Sequence, residues 1–224
     1  MTTGSAWLRF LLCDLDNTLY PPDSGVMAAV GQRMVRYIIE RVGIPPQDAA
    51  QLKLRYYQQY GTTMRGLILH HGIDPEDYLA FVHDVPLKDY LQPTPDLNTM
   101  LASIPLRKAV FTNADGGHAR RVLDLLGVGH HFEQIVDVRN IGFNCKPHLS
   151  AYRRILDILN TRADECIMAD DSAENLAPAK GLGMLAVLVG EDSIPAHVTR
   201  DGADIHIPNI LHLADAIRPW LGKL

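Results

Sequence analysis

Two hydrophobic periods divide this chain. The stretch FLLCDLDNTLYPP, residues 10–22, opens with an unbroken apolar run that predicts a buried strand, and the end of that run carries Asp14 and Asp16 two positions apart. If strand geometry reaches that point, both carboxylates leave on one side. Like charges held so close need a cation between them or a proton on one of them. From about Ser24 to Asp84 the period is helical: Val26, Val30, Met34, Tyr37, Ile38 and Arg41 recur at the spacing of one helix face, and Gly43, Pro45 and Pro46 stop it. Three more helices are predicted in PQDAAQLKLRYYQQYG, TMRGLILHHG and DPEDYLAFVHDV, the last with Asp74 as N-cap before Pro75. The Pro-rich LQPTPDL reads as a linker returning from this segment.

Beyond the linker, short β-like runs (LRKAVFTN, EQIVDV, ECIMADD, MLAVLVG, ADIHI) alternate with helical ones (GGHARRVLDLLG, HLSAYRRILDILN, AENLAPAKGLG). Such alternation predicts an α/β fold, a Rossmann-like parallel sheet covered by helices on both faces. The first strand has to join that sheet. The expected organisation is therefore a core from residues 1–19 plus 93–224 and an inserted all-helical cap from residues 20–92, placed beyond the carboxyl edge where open α/β sheets bind ligands.

Composition narrows the function. With 224 residues, 47% of them hydrophobic, the chain can bury a substantial core. A formal charge of -5 argues against nucleic acid as a partner. The three scattered cysteines, Cys13, Cys145 and Cys166, lack metal-site spacing and read as reduced thiols. No apolar run reaches the roughly 20 residues that span a bilayer, so a membrane is not expected as a partner and a cytoplasmic location is. Composition leaves monomer and homodimer both open.

In a parallel sheet the residues just after each strand converge on one edge however far apart they lie in sequence. Here those residues are Asp14 and Asp16, Thr112 and Asn113, Asp170 and Asp171, with Lys146 from NCKPHL just before a predicted helix. Carboxylates to hold a cation, a hydroxyl with nearby N–H groups and one ammonium suit magnesium-assisted phosphoryl transfer. Asp171 has two readings, metal ligand or cap of the helix near Ser172, whereas Ser172 and Asn175 read as capping or orienting residues. The pairs His70-His71 and His130-His131 make poor chelates, because adjacent helical residues point about 100° apart. Arg55, Tyr56, Tyr57 and Tyr60 either stack on a base or pack the insertion's own helices. In YGTTMRG, Thr62, Thr63 and Arg65 are expected to offer donors to the substrate from a turn bracketed by Gly61 and Gly66. The glycines of GGHARRVLDLLG match neither a P-loop nor a dinucleotide fingerprint.

The segments DLDNT, VFTN, CKP and ADDSAEN resemble, in order and type, the four motifs of the haloacid dehalogenase superfamily of phosphohydrolases, with Ala169 standing where many relatives have glycine. More narrowly, DLDNTLYPPDSG, YGTTMRGL, FVHDVPLKDYLQP and DDSAENLAPAKGLGM resemble the pyrimidine 5′-nucleotidase-like branch. The resemblance implies that Asp14 is a nucleophile forming an aspartyl-phosphate. It implies that Asp16 is the general acid and base, with a raised pKa. Thr112, Asn113 and neighbouring N–H groups would bind the phosphate, and Lys146 would pair with it. Mg²⁺ would sit on the Asp14 carboxylate, the Asp16 backbone carbonyl and Asp170, with Asp171 beside it. A small phosphate ester follows as substrate, most specifically a nucleoside 5′-monophosphate. Sugar phosphates, phosphoglycolate or pyridoxal phosphate are alternatives, as are a phosphomutase and, more distantly, a non-catalytic phospho-ligand-binding regulator.

Overall fold

The computed structural model describes residues 8–190 and 202–221. Strands β1 (Phe10–Cys13), β2 (Arg107–Phe111), β3 (Gln134–Val136), β4 (Cys166–Asp170), β5 (Leu185–Val189) and β6 (Ile205–Ile207) form one parallel sheet in the order β3-β2-β1-β4-β5-β6. Phe10 lies opposite Arg107 on one side and Cys166 on the other. The chain winds outward in one direction from β1 and in the other from β4, so the topological switch falls between the ends that carry Asp14 and Asp170.

All four residues of β1 are buried, because alternate side chains enter different cores. Leu11 and Cys13 join Val110, Ile167 and Ala169 on one face, while Phe10 and Leu12 join Ala109, Phe111 and Met168 on the other. Each fully buried aliphatic side chain contributes about 1.5–3 kcal/mol of transfer free energy.

After β1 the chain leaves the sheet for four helices that pack on one another: α1 (Val26–Glu40), α2 (Pro46–Tyr60), α3 (Thr63–His71) and α4 (Pro75–Val82). Their apolar faces meet in a third cluster that contains Tyr37, Ile38, Leu52, Tyr56, Leu67 and Tyr78 and takes in Val138 and Cys145 from the core. Arg41 lies beyond α1 and is exposed, outside the apolar face to which the spacing assigned it. Asp74 caps α4 by accepting from Glu76 N–H, with Pro75 at the first helical position. Gly61 closes α2 at φ +78, and a Cβ there would lie 2.8 Å from Pro147 Cδ and 3.2 Å from the Lys146 carbonyl oxygen. Only glycine lets this corner press against the Lys146 loop.

Helices α5 (Pro95–Ser103), α6 (Gly116–Leu126) and α9 (Leu213–Ile217) cover one face of the sheet, and α7 (Leu149–Leu159) and α8 (Ala173–Leu182) the other. The sequence reading missed α5, which starts inside LQPTPDL: Pro95 occupies its first position, where proline begins a helix as readily as it breaks one. No described helix is long and apolar enough to cross a membrane.

Candidate active site

Strand β1 ends at Cys13, so the motif residues that follow obey loop geometry rather than strand alternation. Leu15 turns into the core, and Asn17 takes a left-handed conformation (φ 62) that asparagine tolerates better than most residues. The two carboxylates therefore diverge, against the expectation that they face one way.

Asp14 enters a buried charge cluster. Lys146 Nζ donates to Asp14 Oδ1 (2.8 Å), to Asp170 Oδ2 (2.7 Å) and to the Phe111 carbonyl (2.8 Å), which uses all three ammonium protons. Asn113 holds the lysine's backbone from both ends of its amide: Lys146 N–H donates to Oδ1 (2.8 Å), and Nδ2 donates to the Lys146 carbonyl (3.0 Å). The Thr18 hydroxyl donates to Asp14 Oδ2 (3.2 Å) and accepts Asp171 N–H (3.1 Å). Asp170 Oδ1 accepts from Ser172 N–H (2.9 Å) and Asn175 Nδ2 (3.0 Å). Thr112 is buried beside the cluster, and its Oγ1 accepts Ala114 N–H (3.0 Å).

Asp14, Asp170 and Asp171 each place an oxygen within 4.8 Å of the others. Burial pushes the Asp14 carboxyl well up and the crowding carboxylates of Asp170 and Asp171 add to this, against the opposing pull of Lys146. Asp171 is raised to about 7, by burial first and then by Asp170. Lys146 runs the other way: burial would lower its pKa, but Asp14 and Asp170 outweigh burial and hold it charged. Three carboxylates around one ammonium carry excess negative charge, and an all-oxygen donor set of this kind suits a hard divalent cation. Of the two readings of Asp171, the helix cap falls away, because Ser172 caps α8 by accepting Asn175 N–H.

Asp16 lies outside this cluster. Its Oδ1 accepts from the Tyr20 hydroxyl (2.5 Å) and contacts His118 Nε2 (2.9 Å). Burial pushes the carboxyl up, yet the charge and hydrogen bond of His118 and the Tyr20 hydroxyl outweigh burial and leave its pKa below the usual carboxylate value. This corrects the raised pKa expected of the residue. Sequence reasoning missed both partners. Tyr20 lies four residues beyond Asp16 and was legible only as part of an apolar run, and His118 carried no local signal because its neighbour is 102 residues away.

The turn around Thr62 lies near the site but spends its polar groups within the protein. Thr62 caps α3 by accepting Arg65 N–H, Thr63 is buried with its hydroxyl on the Lys53 carbonyl (3.0 Å), and Arg65 Nη1 donates to Asn144 Oδ1 (2.9 Å). Expected as substrate donors, Thr62 and Thr63 thus meet partners within the insertion, Arg65 ties the insertion to the core, and both ends of the Asn113 side chain are likewise occupied by Lys146. Tyr56 and Tyr60 pack within the insertion against His70. Tyr57 and Gln58 instead line a cleft of about 1240 Å³ that they share with Asn17, Tyr90, Asp171 and Ser172.

Three carboxylates around a buried lysine thus stand at the switch point of a doubly wound sheet, with helices inserted after its first strand. The sequence model of the haloacid dehalogenase-like hydrolases matches residues 8–183, and the chain belongs to that family. Phosphate metabolism protein 8 of Saccharomyces cerevisiae is 29% identical over 187 residues, which cover 76% of this chain and 58% of the yeast protein. A HAD phosphatase from Thermococcus onnurineus superposes with a TM-score of 0.63 at 18% identity, covering 93% of this chain and 97% of that one. The HAD-hydrolase YfnB of Bacillus subtilis, solved bound to magnesium, gives 0.60 at 16% identity over 93% and 97%. At these identities the two structures share the fold.

Proposed function

We propose that the chain is a Mg²⁺-dependent phosphomonoesterase that works through an aspartyl-phosphate on Asp14, with a nucleoside 5′-monophosphate as its most specific substrate. The observation that carries this reading is the Lys146 bridge between Asp14 and Asp170, which keeps a buried carboxylate available at the switch point of the sheet. An Asp14 oxygen attacks phosphorus, the bond to the leaving oxygen breaks, and Asp16 supplies that oxygen with its proton. Water then attacks the same phosphorus and gives its proton to Asp16, the bond to Asp14 breaks, and inorganic phosphate departs. The Thr112 oxygen already accepts Ala114 N–H, so its own proton is available to a phosphate oxygen. Asp14, Asp170 and Asp171, with the Asp16 backbone carbonyl, would hold Mg²⁺, which neutralises charge on the transferring group when bound. A bound phosphate dianion also raises the proton affinity of Asp16, which offsets the pull of His118 and suits the residue to act as an acid.

The cleft beside Asp171 supports a nucleoside as leaving group: the Tyr57 and Tyr90 rings offer stacking surface, and the Gln58 and Asn17 amides offer both donors and acceptors. Three buried free thiols suit a reducing compartment and support a cytoplasmic location.

Phosphate release from nucleoside monophosphates, sugar phosphates, phosphoglycolate and pyridoxal phosphate, with Mg²⁺ and with chelator, tests the reading. The expected outcome is chelator-sensitive turnover highest with UMP or CMP, at least about 1000-fold lower in a folded Asp14→Asn variant. Substantial residual activity in that variant overturns the mechanism. A preference for sugar phosphates overturns the nucleotide assignment alone, and transfer to a second hydroxyl without free phosphate marks a phosphomutase.

A further inference from the structure

The side chain of His118 is fully buried and contacts Asp16 Oδ1 through Nε2 at 2.9 Å. A carboxylate only accepts, so Nε2 carries the hydrogen. The Tyr20 hydroxyl donates to the same oxygen. Both donors therefore converge on Oδ1, and Oδ2 makes no hydrogen bond among the described residues. We propose that His118 is a positioning residue that fixes the Asp16 carboxylate by one oxygen and leaves the other to carry the proton, and that His83, from the insertion, holds His118 in place.

His118 stands in the first turn of α6, whose N-cap Asp115 accepts the backbone N–H groups of Gly117 and His118. His83 follows α4, and its ring stacks on His118 with centroids 4.5 Å apart and planes 24° from parallel. On its other side, His83 Nδ1 approaches Asp115 Oδ2 at 2.5 Å. Arg121, one turn further along α6, donates to the His83 carbonyl (2.7 Å). The insertion is thus pinned to the element that aims the acid, and the geometry at Asp16 depends on where the insertion sits. A histidine serving only to fill space would need neither a buried carboxylate partner nor a second ring stacked over it.

The inference rests on Asp16 acting as acid and base, and the test separates the two ideas. Substrates are an alkyl phosphate such as a nucleoside monophosphate or glycerol phosphate, whose leaving oxygen needs a proton, and p-nitrophenyl phosphate, which does not. The readout is kcat/KM, which reports formation of the aspartyl-phosphate. Asp16→Asn is the control: an equal loss on both substrates overturns the role of Asp16 and His118 with it. If Asp16→Asn is selective, His118→Leu is expected to lose about 10- to 100-fold on the alkyl ester and only a few-fold on the aryl ester, the scale on which orienting partners act. His118→Gln, which places a donor near the Nε2 position, is expected to recover most of that loss. A non-selective loss in His118→Leu, or a Gln variant as impaired as the Leu variant, overturns the positioning role while Asp16 keeps its own. Should His118→Leu fail to fold, His83→Leu carries the test, because it removes the stacked ring without touching Asp16. A smaller loss confined to the alkyl ester is expected there, and equal kinetics on both esters in a folded protein overturn the proposal.

Discussion

Asp14 and Asp16 share one short motif and two different electrostatic surroundings. Asp14 faces a lysine and two further carboxylates, Asp170 and Asp171, and its pKa is pushed up. Asp16 faces a tyrosine hydroxyl and a histidine, and its pKa is pulled down. The chain turns at Leu15 and Asn17 and gives each carboxylate its own partners: a hydroxyl four residues on in each case, and a charged or ring nitrogen group from a segment more than 90 residues away. The two positions belong to the motif, but the chemistry of each belongs to its neighbours.

The widest contrast is expected from the lysine. Lys146→Met strands two buried carboxylates and should cost about 3–5 kcal/mol, because removing one partner of a buried ionic cluster leaves uncompensated charge. Melting without Mg²⁺ should fall by roughly 10 °C. An unchanged melting temperature would mean that the Asp14 side is not held together by its ammonium. A smaller effect is expected from pH. Asp171 has its pKa raised from 3.8 to about 7, so in the folded, metal-free protein it keeps a proton that the unfolded chain loses, and this group's contribution to stability declines as pH rises through that window. Mg²⁺ must displace that proton, so its affinity should weaken by about tenfold per pH unit below 7 for each competing proton. Thermal shifts produced by Mg²⁺ at pH 8 and pH 6 check this, and equal shifts would contradict it. The smallest effect belongs to the other carboxylate. Tyr20→Phe removes one of the two donors on Asp16 Oδ1, which lets its pKa climb and should lower kcat/KM on alkyl phosphates by roughly fivefold, the equivalent of about 1 kcal/mol for one hydrogen bond. A loss as large as that of His118→Leu would make Tyr20, rather than the histidine, the principal anchor.

The sheet and the lysine-centred cluster were legible because each relies on a strong local signal. Continuous apolar runs of three to five residues mark β1, β2, β4 and β5, and Asp14, Lys146 and Asp170 each follow or adjoin a predicted element. Helix α5 was obscured by its prolines. For Thr62, Thr63 and Arg65 a polar turn advertises donors without saying what they meet; here Thr63 donates to the Lys53 carbonyl, Arg65 donates to Asn144 Oδ1, and the Thr62 oxygen accepts the Arg65 N–H of α3. His118 and His83 are 35 positions apart and show no periodic relation, so only the seating of the insertion on α6 brings them together.

The sheet order sets a schedule for assembly. Phe10 finds its neighbours at Arg107 and Cys166, so the strand that leads to Asp14 is synthesised before both of its partners and paired late. Its apolar FLLC has no sheet partner until some hundred residues have followed, and the insertion, whose helices contact one another, can condense in the meantime. Asp14 meets Asp170 only when β4 has been made. On a ribosome, then, Asp14 emerges long before the lysine and carboxylate that surround it in the fold, and a chain cut short before β4 carries the motif without the cluster.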